Sequence, residues 1–379
     1  MAYLHSTGCP DVILDHCMDV RQPDAFLQKT HCLVKEQDIQ TEIHRRHIVR
    51  QMKYRRLGRS GLKISSLVLG MMNFGNPTPK EEAFKIIDRA LDTGINLFDC
   101  ADVYAGGVSE RILGETLARN GKRKDVLITS KVFMRTGPGP NDLGNTKHHI
   151  INSCEESLRR LKTDYIDIYF LHRTDFDIPQ EESLAALDHL VKQGKVRYIA
   201  CSTHPAWRVV EAIMISERYH YPKFICEQPP YNLLDRRIEN EIIPMCRAYD
   251  LGIITWSPLA QGVLACRYKD PSSLPQGSRG TLKAVYAERI TQRGIEISFE
   301  LAQRAAAKGC TVVQLAIAWV LNQPGITSAI IGPRNLEQLE DLLPSIDLKL
   351  DESDLKFCDA LVPPGTYVSN HFNTSNWMK

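Results

Sequence analysis

The sequence predicts an α/β fold: a (β/α)8 TIM barrel with an N-terminal β-hairpin as a plug and extra C-terminal helices. Three observations carry this. Eight apolar, β-rich runs follow one another between Ser66 and Gly332, with helix-period segments between them. The runs are apolar almost throughout instead of alternating, the pattern of parallel strands covered by helices. Eight such units in series suit a closed barrel better than an open doubly wound sheet, and no G-x-G-x-x-G is present to argue for the latter.

The elements can be justified in order. "KYRRLGRSGLKIS" (53–65) reads as a hairpin turning at Gly58–Gly61, placed to plug the bottom of the barrel. The strands expected are "SLVLG" (66–70), "NLFDC" (96–100), "VLITSK" (126–131), "YIDIYFLH" (165–172), "VRYIACS" (196–202), "FICEQ" (224–228), "GIITWS" (252–257) and "SAIIG" (328–332). Among the helices, "KEEAFKIIDRALDTG" places Ala83, Ile86, Ile87, Ala90 and Leu91 on one face, and "EESLAALDHLVKQGK" stops at Gly194. Residues 53–362 are thus assigned to the barrel and 363–379 to a C-terminal tail, expected to fold back on it through Phe372 and Trp377. Residues 1–52 differ. They hold scattered His and Cys and sustain no period, although "EQDIQTEIHRRHIVRQM" suits a short amphipathic helix. They read as a poorly ordered extension, with Met52 a natural start for the regular part.

Composition narrows the function. At net charge +2, 43% hydrophobic and 24% charged, the chain of 379 residues offers no electrostatic case for nucleic acid or an anionic membrane. It has no apolar run long enough to span a bilayer, and no signal peptide is expected from its first residues. Its 11 Cys, without C-x-x-C or metal-type spacing, suggest reduced thiols and a cytoplasmic setting. Cys100, Cys201 and Cys226 read as small core hydrophobes. No metal site is expected.

The chemistry is expected at the C-terminal ends of the strands. The second strand ends at Asp99, with Tyr104 five residues on; the third ends at Lys131 and the fourth at His172. Polar groups ending apolar runs are costly to bury unless paired, and Asp99 can pair with Lys131. A protonated Lys131 beside Tyr104 is expected to lower the phenol from its usual pKa of about 10, so that Tyr104 protonates a carbonyl oxygen as general acid. His172 would hydrogen-bond the same oxygen. In "GGVSE", Ser109 is expected to cap a helix, with Glu110 in its first turn. Asp102 is given no role. The segment 265–293 is long, basic and Gly-containing, which suits a clasp over a bound ligand.

Residues 53 to about 345 resemble the aldo-keto reductase superfamily, most of all the branch that includes potassium-channel β subunits and bacterial sugar and aldehyde reductases. The resemblance rests on "RLGRSGLKIS", "FDCADVYAGGVSE", "TSK", "LHR", "EQPPYN", "WSPLAQG" and "IIGPRNLEQLE", in that order. It implies catalytic Asp99, Tyr104, Lys131 and His172, and NADP(H)-dependent reduction of an aldehyde, ketone or keto-sugar, a small-molecule carbonyl substrate. It also implies cofactor contacts. Ser202 and Gln228 would hold the nicotinamide carboxamide, with Asp99 beside them. Trp256 would stack on the ring, and Gly70, Met71 and Met72 would approach the nicotinamide end. Ser257, Pro258, Leu259, Gln261, Gly262 and Arg267 would follow the pyrophosphate. Gly332, Arg334, Gln338 and Asp341 would form the adenosine side, where Arg334 can grip a 2′-phosphate by a forked contact. A plainer reading makes Asn335 a helix cap and leaves Arg334 exposed. The chain departs from the family pattern at Thr203, at Cys266-Arg267-Tyr268 and at Asp341-Leu342. Near the mouth, Phe74, Phe133, His204 and Trp256 are expected to shape the substrate site. Two other functions compete: a channel-β-like subunit that binds NADPH with little turnover, disfavoured by the implied departure of such subunits at the His172 position, and a Schiff-base enzyme using Lys131.

Overall fold

The computed structural model describes residues 52–282 and 284–374. The extension expected over residues 1–52, with its short helix, lies outside the described residues except for Met52, as does Trp377.

A short antiparallel hairpin, β1 (Tyr54–Arg56) and β2 (Lys63–Ser65), comes first, with Arg55 opposite Ile64. The eight runs then form β3 (Leu67–Gly70), β4 (Leu97–Asp99), β5 (Leu127–Val132), β6 (Ile166–Leu171), β7 (Val196–Cys201), β8 (Cys226–Glu227), β9 (Gly252–Thr255) and β10 (Ser328–Ile331). They close into a parallel barrel in which β10 pairs with both β9 and β3. All eight lie within the runs the sequence marks, save that β5 extends one residue further, to Val132.

Two apolar layers result from the alternation of side chains along each strand. Val68, Leu97, Ile168, Phe170, Ala200, Cys226, Ile254 and Ile330 fill the barrel interior. Leu67, Leu69, Phe98, Ile128, Tyr169 and Leu171 face outward into the helices. Leu57 and Ile64 of the hairpin join the interior cluster, so the hairpin does plug the barrel. The approach is close: at Gly58, with φ of +50°, a Cβ would lie 2.5 Å from the Ile225 carbonyl oxygen, and no side chain fits. Arg59 N–H donates to the Asp250 carbonyl at 2.7 Å and fixes the turn.

The helices follow the expected faces. Lys80–Asp92 buries Ala83, Ile86, Ile87 and Ala90. Gln180–Lys192 is followed by Gly194 at φ +73°. After β10, Leu336–Leu342 closes the outer ring against Lys80–Asp92 and Val312–Asn322, and Glu352–Leu361 is the extra C-terminal helix. The latter is held by Arg304 and Lys308, whose cations reach Asp354 at 2.7 and 2.6 Å. The tail does fold back: Val368 N–H donates to Leu234 O, and the His371 and Phe372 N–H groups both donate to Asp235 at 2.7 Å.

One local expectation fails. Helix Val108–Asn120 is preceded by Gly107 in the left-handed region, and Ser109 sits inside the first turn. Ser109 Oγ donates instead to the Met71 carbonyl at 2.8 Å and ties the helix to the end of β3. Glu110 is fully buried and accepts from Ser130 Oγ at 2.5 Å and Arg160 Nε at 2.6 Å. Among the described residues no single helix is long and apolar enough to cross a membrane. The one pair that passes together, Gln292–Ala307 and Val312–Asn322, is bent by 94° and buries Leu301, Leu315 and Trp319 in the core.

Candidate active site

Continuing the interior register by two residues shows what the strand ends present. After Val68 comes Gly70, after Leu97 Asp99, after Phe170 His172, after Ala200 Ser202, after Cys226 Gln228, after Ile254 Trp256, and after Ile330 Gly332. Lys131 lies four residues beyond the inward Leu127. The apolar interior therefore ends in a ring of polar groups at the C-terminal mouth.

Lys131 is fully buried. Its Nζ donates to Asp99 Oδ2 at 2.5 Å, to the Cys100 carbonyl at 2.8 Å and to Tyr104 OH at 3.3 Å. Asp99 Oδ1 accepts from Thr129 Oγ1 at 2.7 Å and Gln228 Nε2 at 2.9 Å, so the buried carboxylate is compensated on both oxygens. The Tyr104 and His172 rings meet edge-on, with centroids 5.9 Å apart. His172 Nδ1 is buried and has no hydrogen-bond partner among the described residues. An acid–cation pair, a phenol and an imidazole thus converge. Such a group can protonate and orient an oxygen brought to the mouth.

Burial decides the protonation states. It raises the Tyr104 phenol above its ordinary 10.0, and Lys131 offsets only part of this. The expected lowering of this pKa is thus corrected: the enclosed phenol pays more for ionisation than one cation returns. Lys131 behaves oppositely. Burial works against its charge, but Asp99 and then Tyr104 outweigh it, and its pKa lies above 10.5. His172 lies well below 6.5 because of burial, then Lys131 and Arg173.

These shifts give a stability prediction. Burial also holds His204 at about 4 and His371 at about 3, from 6.5. As pH falls through about 6.5, the unfolded chain protonates these imidazoles while the fold does not. The unfolded state then binds more protons, and each buried histidine costs stability. Asp102 and Glu227, held by burial at about 7, act in the other direction, since the fold keeps protons that the unfolded chain releases above about 4. Replacing His371 by Gln should therefore reduce the loss of stability between pH 6 and 4 by about 1.4 kcal/mol per pH unit, read from urea denaturation.

The other candidate positions gather around this centre. Ser202 Oγ donates to the Gln228 carbonyl at 2.8 Å. Thr203, with φ of +56°, accepts from Trp256 Nε1 at 3.1 Å and sets the indole's orientation. Ser257, Gln261 and Gly262 all have positive φ, in a tight turn from Ser257 to Ala265. Pro258 and Leu259 lie within it. Gln261 Oε1 is buried without a partner among the described residues. Asn335 does cap helix Leu336–Leu342, accepting from Gln338 N–H at 2.9 Å, while the Gln338 side chain accepts from Arg334 N–H. Arg334 Nη1 and Arg267 Nη2 both donate to the Gly277 carbonyl, at 3.0 and 3.4 Å. The segment expected as a clasp is thus held across this side of the mouth.

Some candidates are not brought here. Asp341 accepts from Thr311 Oγ1 and Gln314 Nε2, both at 3.0 Å, and serves the start of helix Val312–Asn322. The Met71 side chain is buried in the outer core, while its N–H donates to the Asp99 carbonyl at 3.0 Å; Met72, next in the chain, is exposed. Phe74, expected at the mouth, packs in the outer core. His204 is buried beside the strand ends, with Nδ1 3.0 Å from Ser202 O. Conversely, the sequence did not single out Arg279 or Asn73. Arg279 Nη2 donates to Asn73 Oδ1 at 2.7 Å, and Asn73 Nδ2 donates to the Gly332 carbonyl at 3.0 Å. These link the clasp to the ends of β3 and β10. Only the basic character of "QGSRG" hinted at Arg279.

The family model described as "Aldo/keto reductase family" matches residues 66–363. The chain is 36% identical over 324 residues to the uncharacterized oxidoreductase YrpG of Bacillus subtilis (strain 168), covering 83% of this chain and 97% of that protein. It is also 36% identical over 303 residues to a probable voltage-gated potassium channel subunit beta of Arabidopsis thaliana, covering 78% of this chain and 92% of that protein. The same figures hold for a probable subunit of this kind from Oryza sativa subsp. japonica.

Proposed function

The chain belongs to the aldo/keto reductase family and is an oxidoreductase, and from this premise we propose that it reduces an aldehyde, ketone or keto-sugar to the alcohol with NADP(H). The observation that carries the reading is the buried Lys131, bonded at once to Asp99 at 2.5 Å and to Tyr104 OH at 3.3 Å. NADP(H), when bound, supplies the hydride that goes to the carbonyl carbon. Tyr104 gives its proton to the carbonyl oxygen. It is suited to this because its raised pKa keeps the phenol protonated at neutral pH. Lys131 steadies the phenolate left behind, and Asp99 holds Lys131 charged and in place. His172, neutral at pH 7, orients the same oxygen.

The residues present fit the cofactor. Arg267, Arg279 and Arg334 lie close enough that the first two depress the pKa of Arg334, after burial. Three such guanidiniums suit a phosphate, and a 2′-phosphate favours NADP over NAD. Ser202 and Gln228, beside Asp99, suit the carboxamide. Gln261 Oε1 and Ser278 Oγ are buried without partners among the described residues and are free to meet the dinucleotide. The protein would work in the cytoplasm on a small molecule.

The test follows NADPH absorbance with a panel of carbonyl compounds. Turnover is expected. Replacing Arg334 by Gln should raise the KM for NADPH roughly tenfold or more, as a lost charge-assisted contact does, and leave the KM for NADH nearly unchanged. An equal effect on both coenzymes would overturn the 2′-phosphate assignment. The names of the two plant relatives favour a second reading, an NADPH-binding regulatory subunit. Tight NADPH binding without turnover of any carbonyl would establish it instead.

A further inference from the structure

Two arginines at the mouth are not used by this mechanism. Arg173 follows His172 at the end of β6, and its guanidinium lies 5.8 Å from the Trp256 ring centroid. Arg289 comes from the far end of the clasp and lies 6.0 Å from the same ring. Among the described residues neither forms an ion pair, and Arg289 Nε is buried without an acceptor. Three acids act on the pair without bonding to it: Glu227 on Arg173, and Asp235 and Glu288 on Arg289. Asp235 is bonded instead to Arg237 at 2.6 Å and to two tail N–H groups, and Glu227 accepts from Cys201 Sγ and the His204 N–H. Burial lowers the pKa of both guanidiniums, and Arg289 lowers that of Arg173 further by repulsion. The other arginines of the clasp region differ: Arg267, Arg279 and Arg334 all donate hydrogen bonds within the protein.

The fold also holds Arg289 in position. Ser369 Oγ of the tail donates to the Arg289 carbonyl, and Thr291 Oγ1 donates to Val368 O at 3.1 Å. A half-buried pair of like charges without an ion-pair partner is costly, and an anion between them offsets that cost. The planar fork of a guanidinium matches a carboxylate or a phosphate.

We propose that Arg173 and Arg289 bind an oxyanionic group of the substrate, so that the compound reduced is an aldehyde or ketone bearing a carboxylate or phosphate. This rests on the reductase reading and names its substrate class. The anionic group lies over Trp256, and the carbonyl reaches Tyr104 and His172.

The test compares 4-carboxybenzaldehyde with its methyl ester, and glyceraldehyde 3-phosphate with glyceraldehyde, on the full-length protein. In at least one pair the anion should be preferred in kcat/KM by roughly ten- to a hundredfold, the range of one charge-assisted hydrogen bond. The preferred pair tells carboxylate from phosphate. Arg173→Gln and Arg289→Gln should each collapse that preference toward unity through KM, without raising the KM for NADPH. Turnover with no anion preference in either pair overturns the proposal and leaves the reductase standing. A rise in KM for NADPH alone overturns it as well, by assigning both residues to the cofactor. If no carbonyl is turned over, the reductase reading fails, and calorimetric titration with benzoate, benzamide and inorganic phosphate decides the site itself. Benzoate or phosphate binding that is lost in both variants supports an anion site. Binding no tighter than that of benzamide, or lost only in Arg334→Gln, overturns it.

Discussion

Replacing Tyr104 by Phe should lower kcat for carbonyl reduction by roughly 10³, within the range that a positioned general acid supplies, while NADPH still binds. The variant removes one oxygen and keeps the ring that meets His172 edge-on at 5.9 Å. Lys131 retains Asp99 and the Cys100 carbonyl, so its charge stays compensated. The loss should therefore appear in the chemical step, read by single-turnover absorbance, with cofactor affinity measured separately. The pH profile adds a second check. Because burial holds the Tyr104 pKa above 10.0, wild-type reduction should show no alkaline fall from this group until beyond pH 10. Oxidation of the product alcohol, which needs the phenolate, should rise with pH over the same range. Undiminished kcat in Tyr104→Phe would move the proton to His172.

The second large effect is on stability. Replacing Lys131 by Met leaves Asp99, which is buried, facing an apolar side chain. Thr129 and Gln228 still satisfy Oδ1, but Oδ2 loses its 2.5 Å partner. Breaking a buried pair from one side costs about 3–5 kcal/mol. For a chain of this size that is a fall in the thermal midpoint of about 4–7 °C. Asp99→Asn in the same background removes the stranded charge and should restore more than half of the loss. Activity stays absent in both. Calorimetry and turnover thus separate what the pair does for the fold from what it does for the reaction. A midpoint unchanged in Lys131→Met would mean that Asp99 is protonated or hydrated in the folded protein.

The barrel was legible because its signal is periodic and repeated. Each buried strand is a run such as "IDIYFL" that few other structures explain. Three of the four groups at the mouth were legible for a related reason, since Asp99, Lys131 and His172 interrupt or end those runs at a cost, and Tyr104 follows from the motif after Asp99. What escaped lies in segments without a period. Arg279, Asn73 and Arg289 come from loops whose paths are fixed by contacts far along the chain, as with Arg279 and Asn73, 206 residues apart. The misplaced cap at Ser109 has a local cause. Gly106 and Gly107, at φ +62° and +83°, let the backbone enter the helix by itself and free the serine for Met71. Phe74 turns into the outer core because nearness in sequence to a strand end does not say which way a side chain points once the strand is over. The direction of the Tyr104 shift depends on how completely the phenol is enclosed, and motif spacing carries no measure of that.

The pairing of β10 with β3 joins residues 262 positions apart, through Ser328 Oγ and the Ser66 carbonyl. On a ribosome, β3 is among the first strands made and its partner on one side is the last. At about 5–20 residues per second, synthesis of the intervening chain takes tens of seconds. Throughout that time the edge of Leu67–Gly70 has no neighbour to replace β10, and its apolar side chains have only half their final surroundings. Any sheet formed before β10 emerges therefore has two unpaired edges. Faster synthesis shortens this vulnerable interval, and a chaperone that shields the β3 edge protects it. A stall before residue 328 leaves the β3 and β9 edges without their partner, and such edges are prone to join another copy of the chain.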